Sequence, residues 1–190
     1  DGRSVEADEA QAVGWFRKAV EQGQLHAQYN LAVRLRDGRG AEADLDAARE
    51  LFGKAAENEM ASAQFAIAQM WAAGEGGEQD EANATQWFRK AAEQGHAAAQ
   101  NNLARRLVEG IGTEANLPEA LDWLEKSAEQ NCASAQFNLG RRQLEGDGLR
   151  PNGKAAVHWL KLAAAADHIE AQCLLGRALA EGIGGAPNAG

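Results

Sequence analysis

The side chains that could do chemistry are spread along this chain rather than gathered. The four histidines are His26, His96, His158 and His168. They do not cluster, and the ligand spacing that zinc requires is absent. Neither Ser-x-x-Lys nor Gly-x-Ser-x-Gly occurs, so the usual serine-nucleophile signatures are missing. Gly-x-Gly recurs, but no strand pattern precedes it, which removes the dinucleotide-binding reading. Carboxylates are plentiful yet scattered over exposed faces. No acid, base and nucleophile form a set. The expectation is therefore a non-enzymatic chain with no metal and no cofactor.

Charge narrows the partners. A net charge of −9 argues against nucleic acid, whose phosphates need a basic face. It argues equally against an anionic membrane surface. No run is long and apolar enough to insert into a bilayer. The two cysteines, Cys132 and Cys173, stand at unrelated positions, and two free thiols are expected. A pairing in an exported chain stays open.

A single spacing organises everything else. Ala-Gln recurs at Ala27, Ala63, Ala99, Ala135 and Ala171, each 36 residues after the last. Trp15, Trp87, Trp123 and Trp159 keep the same step, with Leu51 in the second slot. Glycine pairs do too: Gly38/Gly40, Gly74/Gly76, Gly110/Gly112, Gly146/Gly148 and Gly182/Gly184. Such a period denotes stacked repeats, each burying its apolar side on its neighbours.

Each period holds two helices. Asp8 is placed to cap the first, and the cap recurs as Asp44, Asp80, Asn116, Asn152 and Asn188. Ala12, Trp15, Phe16 and Ala19 then mark one apolar helical face. Gly23 stops this helix and Gly95 and Asn131 match it, whereas Glu59 and Asp167 fit a left-handed stop poorly. The second helix spans about Leu25 to Asp37, with Ala27, Leu31 and Leu35 on one face. Nothing alternates as a strand would. Gly53 lies inside a helix, at a cost of roughly 1 kcal/mol against alanine. That stretch reads as locally softer, as a partner contact, or as drift tolerated by its neighbours.

These residues resemble the Sel-one-like repeat (SLR) family, relatives of the tetratricopeptide repeats. The carriers are Ala135-Gln136, Leu139-Gly140, Gly146-Asp147-Gly148, Ala156-x-x-Trp159 and Lys161. The stretch from Trp87 to His96 matches especially well. The family's helical tyrosine is replaced here by Leu35, Trp71, Leu107, Gln143 and Leu179. The resemblance implies an all-α, right-handed α-solenoid of antiparallel helix pairs. In its register the Ala-Gln helix is the A helix. Residues 1–24 then read as an orphan B helix, 25–60, 61–96, 97–132 and 133–168 as full repeats, and 169–190 as an orphan A helix. Neither end carries a polar cap, so the expectation is a segment of a longer array, with end-to-end self-association where the ends are bare.

The resemblance also implies that A helices line a concave ligand groove. Three ladders would face it. The first is Tyr29, Phe65, Asn101, Phe137 and Cys173. The second is Val33, Gln69, Arg105, Arg141 and Arg177. The third is Asp37, Ala73, Glu109, Glu145 and Glu181, four residues beyond the second and so set for i,i+4 pairs. The expected partner-binding residues are Tyr29, Phe65, Asn101, Phe137, Arg105, Arg141 and Arg177. Aromatic and guanidinium groups suit a peptide or an acidic loop. The competing reading is that the arginines pair with the glutamates and the aromatics are core. The tryptophan ladder is expected to pack between repeats, while the off-pattern Trp71 is better placed to meet a partner.

The reading is a scaffold or adaptor binding another protein or peptide, in the periplasm or cytoplasm of a bacterium. An immunity protein that neutralises a toxin is the first alternative. An envelope-acting enzyme is the second, and it lacks a visible catalytic cluster.

Overall fold

Helix signals recur at every step, and the chain folds accordingly. The computed structural model describes residues 8–185. Ten helices form among them, and no strand. They are α1 (Glu9–Glu21), α2 (Leu25–Asp37), α3 (Leu45–Glu57), α4 (Ala61–Ala73), α5 (Glu81–Glu93), α6 (Ala97–Glu109), α7 (Leu117–Glu129), α8 (Ala133–Glu145), α9 (Gly153–Ala165) and α10 (Ile169–Ala180). Odd-numbered helices are the B helices and even-numbered ones the A helices. The chain forms two compact units, residues 1–91 and 92–190.

The expected caps form. Asp8, Asp44, Asp80, Asn116 and Asn152 each accept a backbone N–H from three residues on, at 2.8 to 3.2 Å. The Asn83 amide holds the Asp80 carboxyl below the usual carboxylate range. Asn188 lies outside the described residues. Two A helices have caps the sequence reading missed. His96 Nδ1 accepts from the Ala99 amide at 3.2 Å, and His168 Nδ1 from Ala171 at 3.3 Å. These two histidines are spoken for as helix starts.

The glutamine of each Ala-Gln pair is a tie. Gln64, Gln100, Gln136 and Gln172 donate Nε2 to the carbonyls of Ala56, Ala92, Ala128 and Ala164, at 3.1 to 3.2 Å. Those carbonyls belong to the last turn of the preceding B helix, and each also accepts the backbone N–H of the stop residue three positions on, at 2.9 to 3.2 Å. The neighbouring alanine is buried in all five cases, because its small side chain lets the helices approach closely.

The second glycine of a pair is fixed by crowding. A Cβ on Gly40 would lie 2.2 Å from the Glu9 carbonyl oxygen, and one on Gly76 2.3 Å from that of Leu45. Both residues also have positive φ. The stop after each B helix is left-handed everywhere, including at Glu59, Asn131 and Asp167 with φ near 60°. Long side chains cost roughly 1–2 kcal/mol in that conformation, so Glu59 is a strained stop, whereas the short polar Asn131 and Asp167 enter it more readily.

In the first unit Leu31, Leu35, Phe52, Ile67 and Met70 form the core, interleaved with alanines. In the second, Leu124 and Leu139 pack with Ala104, Ala128 and Ala135, and Leu160 packs with Ala163 and Ala171. The tryptophan expectation holds for Trp87, Trp123 and Trp159, which pack against the core clusters, and is corrected for Trp15. Trp15 is 62% exposed, and Trp87, Trp123 and Trp159 are only half-buried. The residue after four of the five slots goes inside instead: Phe52, Phe88, Leu124 and Leu160, with Phe16 half-buried. The cause is geometric. One residue turns a helix by 100°, which leaves the indole at the rim, where its polar edge can stay wet. Lysines one turn on, Lys18, Lys90 and Lys126, lie 4.0 to 4.5 Å from the ring centroids of Trp15, Trp87 and Trp123.

Candidate functional site

Three of the seven expected partner-binding residues meet in one cleft of the second unit. Asn101 and Arg105 sit four residues apart on α6, with Glu109 a further turn on. Arg141 and Asn138 face them from α8. Ala120, Leu121 and Leu124 of α7 make the floor. The cleft encloses about 100 Å³. That is too little for a metabolite, whose sites run to several hundred cubic ångströms. It suits one polar side chain of an extended partner.

The polar groups are unequal. Asn138 Nδ2 donates to Asn101 Oδ1 at 3.3 Å, joining α6 to α8 across the cleft. Arg105 reaches Glu109 at 3.3 Å, but both side chains are about half exposed. A pair of that kind is worth at most about 1 kcal/mol and yields readily to a better partner. The matching pairs from Arg141 to Glu145 and from Arg177 to Glu181 do not form among the described residues. Arg141 Nε is buried and meets no acceptor among the described residues. An unpaired buried donor costs about 1–3 kcal/mol, so an incoming acceptor is favoured at that atom.

Sequence reasoning did not separate these arginines from their neighbours. Arg106 and Arg142, one residue on, are buried. Arg142 points inward and grips Asp147 of the glycine loop, Oδ2 at 2.5 Å and the carbonyl at 3.3 Å. Arg142 also lines the cleft, but its guanidinium is committed to the loop.

The other expected residues are placed differently. Tyr29 packs edge-on against Phe52 at 5.5 Å. Phe65 does the same against Phe88 at 5.7 Å. Phe137 stacks on His168 at 4.8 Å. All three are half-buried and engaged with the adjacent B helix or turn. Arg177 is exposed on α10 and does not line the cleft. Both cysteines are free thiols, Cys173 exposed and Cys132 half-buried.

The first unit carries a separate pocket of about 320 Å³ between α3, α4 and α5. Ile67, Trp71 and Trp87 supply apolar walls, Gly53 leaves a gap, and Asp46, Arg49, Glu50 and Glu57 form the rim. The Arg49 guanidinium lies 3.5 Å from the Trp71 ring centroid and donates to the carbonyls of Gly76 and Glu78. The described residues contain no cluster able to hold a metal ion, and no helix among them is long and apolar enough to cross a membrane.

Paired helices, the Ala-Gln tie and the glycine loops recur at one period, and the Sel1 repeat pattern matches residues 1–24, 25–60, 61–96, 97–132, 133–168 and 169–189. The chain belongs to the Sel1 repeat family. Among solved structures, a Sel1 repeat protein from Oxalobacter formigenes is 34% identical with a TM-score of 0.81, over 90% of this chain and 49% of that one. The protein c5321, a protective antigen present in uropathogenic Escherichia coli strains, displays an SLR fold. It is 31% identical with a TM-score of 0.85, over 96% of this chain and 40% of that one. This Sel1 repeat chain thus spans half or less of the length of either. The immunity protein PA5088 from Pseudomonas aeruginosa is 25% identical with a TM-score of 0.58, over 84% and 58%. No curated protein matches the chain.

Proposed function

We propose that this Sel1 repeat chain is a non-catalytic scaffold that binds a protein or peptide partner on its A-helix face. The cleft of Asn101, Arg105 and Arg141 receives an acidic side chain of that partner. The observation that carries this reading is Arg141 Nε, a buried donor that has no acceptor among the described residues and belongs to a residue lining the cleft. Beside it, Arg105 is held only by an exposed pair. A carboxylate entering here would gain charge-assisted hydrogen bonds from two guanidinium groups. Tyr29, Phe65 and Phe137 act behind this face as packing residues that hold the A helices in place.

A second reading is that the chain neutralises a toxic enzyme. Its likeness to the immunity protein PA5088 favours that. The two readings predict different partner spectra. Affinity capture on the wild-type chain and on a variant with Arg105, Arg141 and Arg177 changed to Glu separates them. The scaffold reading expects several partners, all weakened in the variant. One dominant, very tight partner would select the immunity reading. Equal recovery on both baits would contradict a role for the arginine cleft.

A further inference from the structure

We infer that the Gly53 pocket of the first unit is a docking site for one lysine or arginine side chain of a partner protein. This goes beyond the cleft reading and does not depend on it, since it uses other residues and the opposite charge.

The first argument is what the pocket lacks. Stepping by 36 residues from position 53 gives Arg17, Arg89, Glu125 and Lys161. Four of the five repeats carry a long charged side chain there, and three of those are basic. Gly53 removes both bulk and charge. A Cβ built on it meets nothing within 4 Å, so neighbouring atoms have not closed the gap. Helical glycine is unfavourable, and nothing in the local backbone requires it.

The second argument is the chemistry of the walls. Ile67 is buried and Trp71 and Trp87 are half-buried, giving apolar surface deep in the pocket. Trp71 is itself off-pattern, standing where the other repeats have leucine or glutamine. The rim holds three carboxylates, Asp46, Glu50 and Glu57, against one lining cation, Arg49, while Lys90 on α5 lies 4.0 Å from the Trp87 ring centroid. Arg49 is already committed to Trp71 and to two loop carbonyls. Glu50 has only an exposed pair with Lys54. Asp46 and Glu57 make no ion pair among the described residues.

An apolar interior under an acidic rim suits an amphipathic cation. The methylene stem of lysine or arginine would lie along the indoles while its head reached the carboxylates. An acidic side chain would meet three like charges. A purely aliphatic one would strip water from those carboxylates and return nothing.

The experiment uses the whole chain and synthetic glycine–serine peptides bearing one central arginine, leucine or glutamate. The readout is the indole N–H resonances of Trp71 and Trp87, assigned with single Trp→Phe variants. The arginine peptide should shift both signals saturably, at least about ten-fold tighter than the leucine or glutamate peptide. Gly53→Arg supplies the missing side chain from within and should abolish the shift. Gly53→Ala should fold equally well and retain it. The double variant Asp46→Asn/Glu57→Gln should weaken binding without blocking access. The inference is overturned if the arginine peptide moves neither indole, if leucine binds as well, or if Gly53→Arg leaves the titration unchanged.

Discussion

The arginine cleft of the second unit and the tryptophan pocket of the first are built on the same repeat, yet they have opposite chemistry. At the positions of Arg105 and Arg141, the first unit carries Val33 and Gln69. At the position of Gly53, the second unit carries Glu125 and Lys161, and at that of Trp71 it carries Leu107 and Gln143. Each site is therefore absent from the other unit for reasons of one or two side chains. The backbone offers the same grooves throughout. The difference teaches that packing residues are common property of the repeats, while the variable positions set the charge that each site presents.

That division can be broken most forcefully at the packing level. Phe52→Ala empties a fully buried site and should cost about 3–5 kcal/mol in urea unfolding. A loss below about 1 kcal/mol would mean that the shared core is not what holds the first unit. Next in size is Gln100→Ala, which removes a buried side-chain hydrogen bond and leaves the Ala92 carbonyl only the Gly95 N–H at 2.9 Å, and should cost about 1 kcal/mol. The exposed equivalent, Gln172→Ala, should cost less, because water can reach Ala164. Equal losses at the two sites would remove the tie from the account.

Smaller effects sharpen the comparison. Gly53→Ala should stabilise the chain by about 1 kcal/mol, since the pocket has room and alanine favours the helix. A destabilised variant would show that the gap is structurally required. The His96 cap gives a pH effect confined to the second unit. Burial pushes its imidazole below the ordinary value of about 6.5. The unfolded chain therefore protonates first as pH falls. The stability it contributes is complete above about 6.5 and is lost as pH drops through the folded value. His96→Asn should cap without that pH dependence, and a variant with the same pH slope would discount the assignment. Arg105→Glu should change stability by less than about 1 kcal/mol, being an exposed pair.

The repeat was legible because its signals are local. Asp or Asn caps, glycine stops and the Ala-Gln step each depend on a few neighbouring residues. The His96 and His168 caps were missed because histidine does not announce itself as a cap. Its role depends on which way the ring nitrogen faces. Trp15 was misread for a related reason. Position in a repeat gives the helix face but not how far along that face the core extends. Asn101, Arg105 and Arg141 were legible as members of two neighbouring ladders once the A helices were placed. The buried state of Arg141 Nε was not, because it depends on how α6, α7 and α8 close around it. The Gly53 pocket was half legible: the glycine stood out, while Trp71 and Trp87 reach it from other helices.

The central claim is that the variable face, and not the shared packing, selects the partner. Its most direct test is a titration with a peptide carrying one glutamate, read at the side-chain amide signals of Asn101 and Asn138. The account predicts saturable shifts in the wild-type chain that vanish in Arg105→Glu/Arg141→Glu, with the helical circular dichroism unchanged. Shifts that persist in that folded double variant would contradict it.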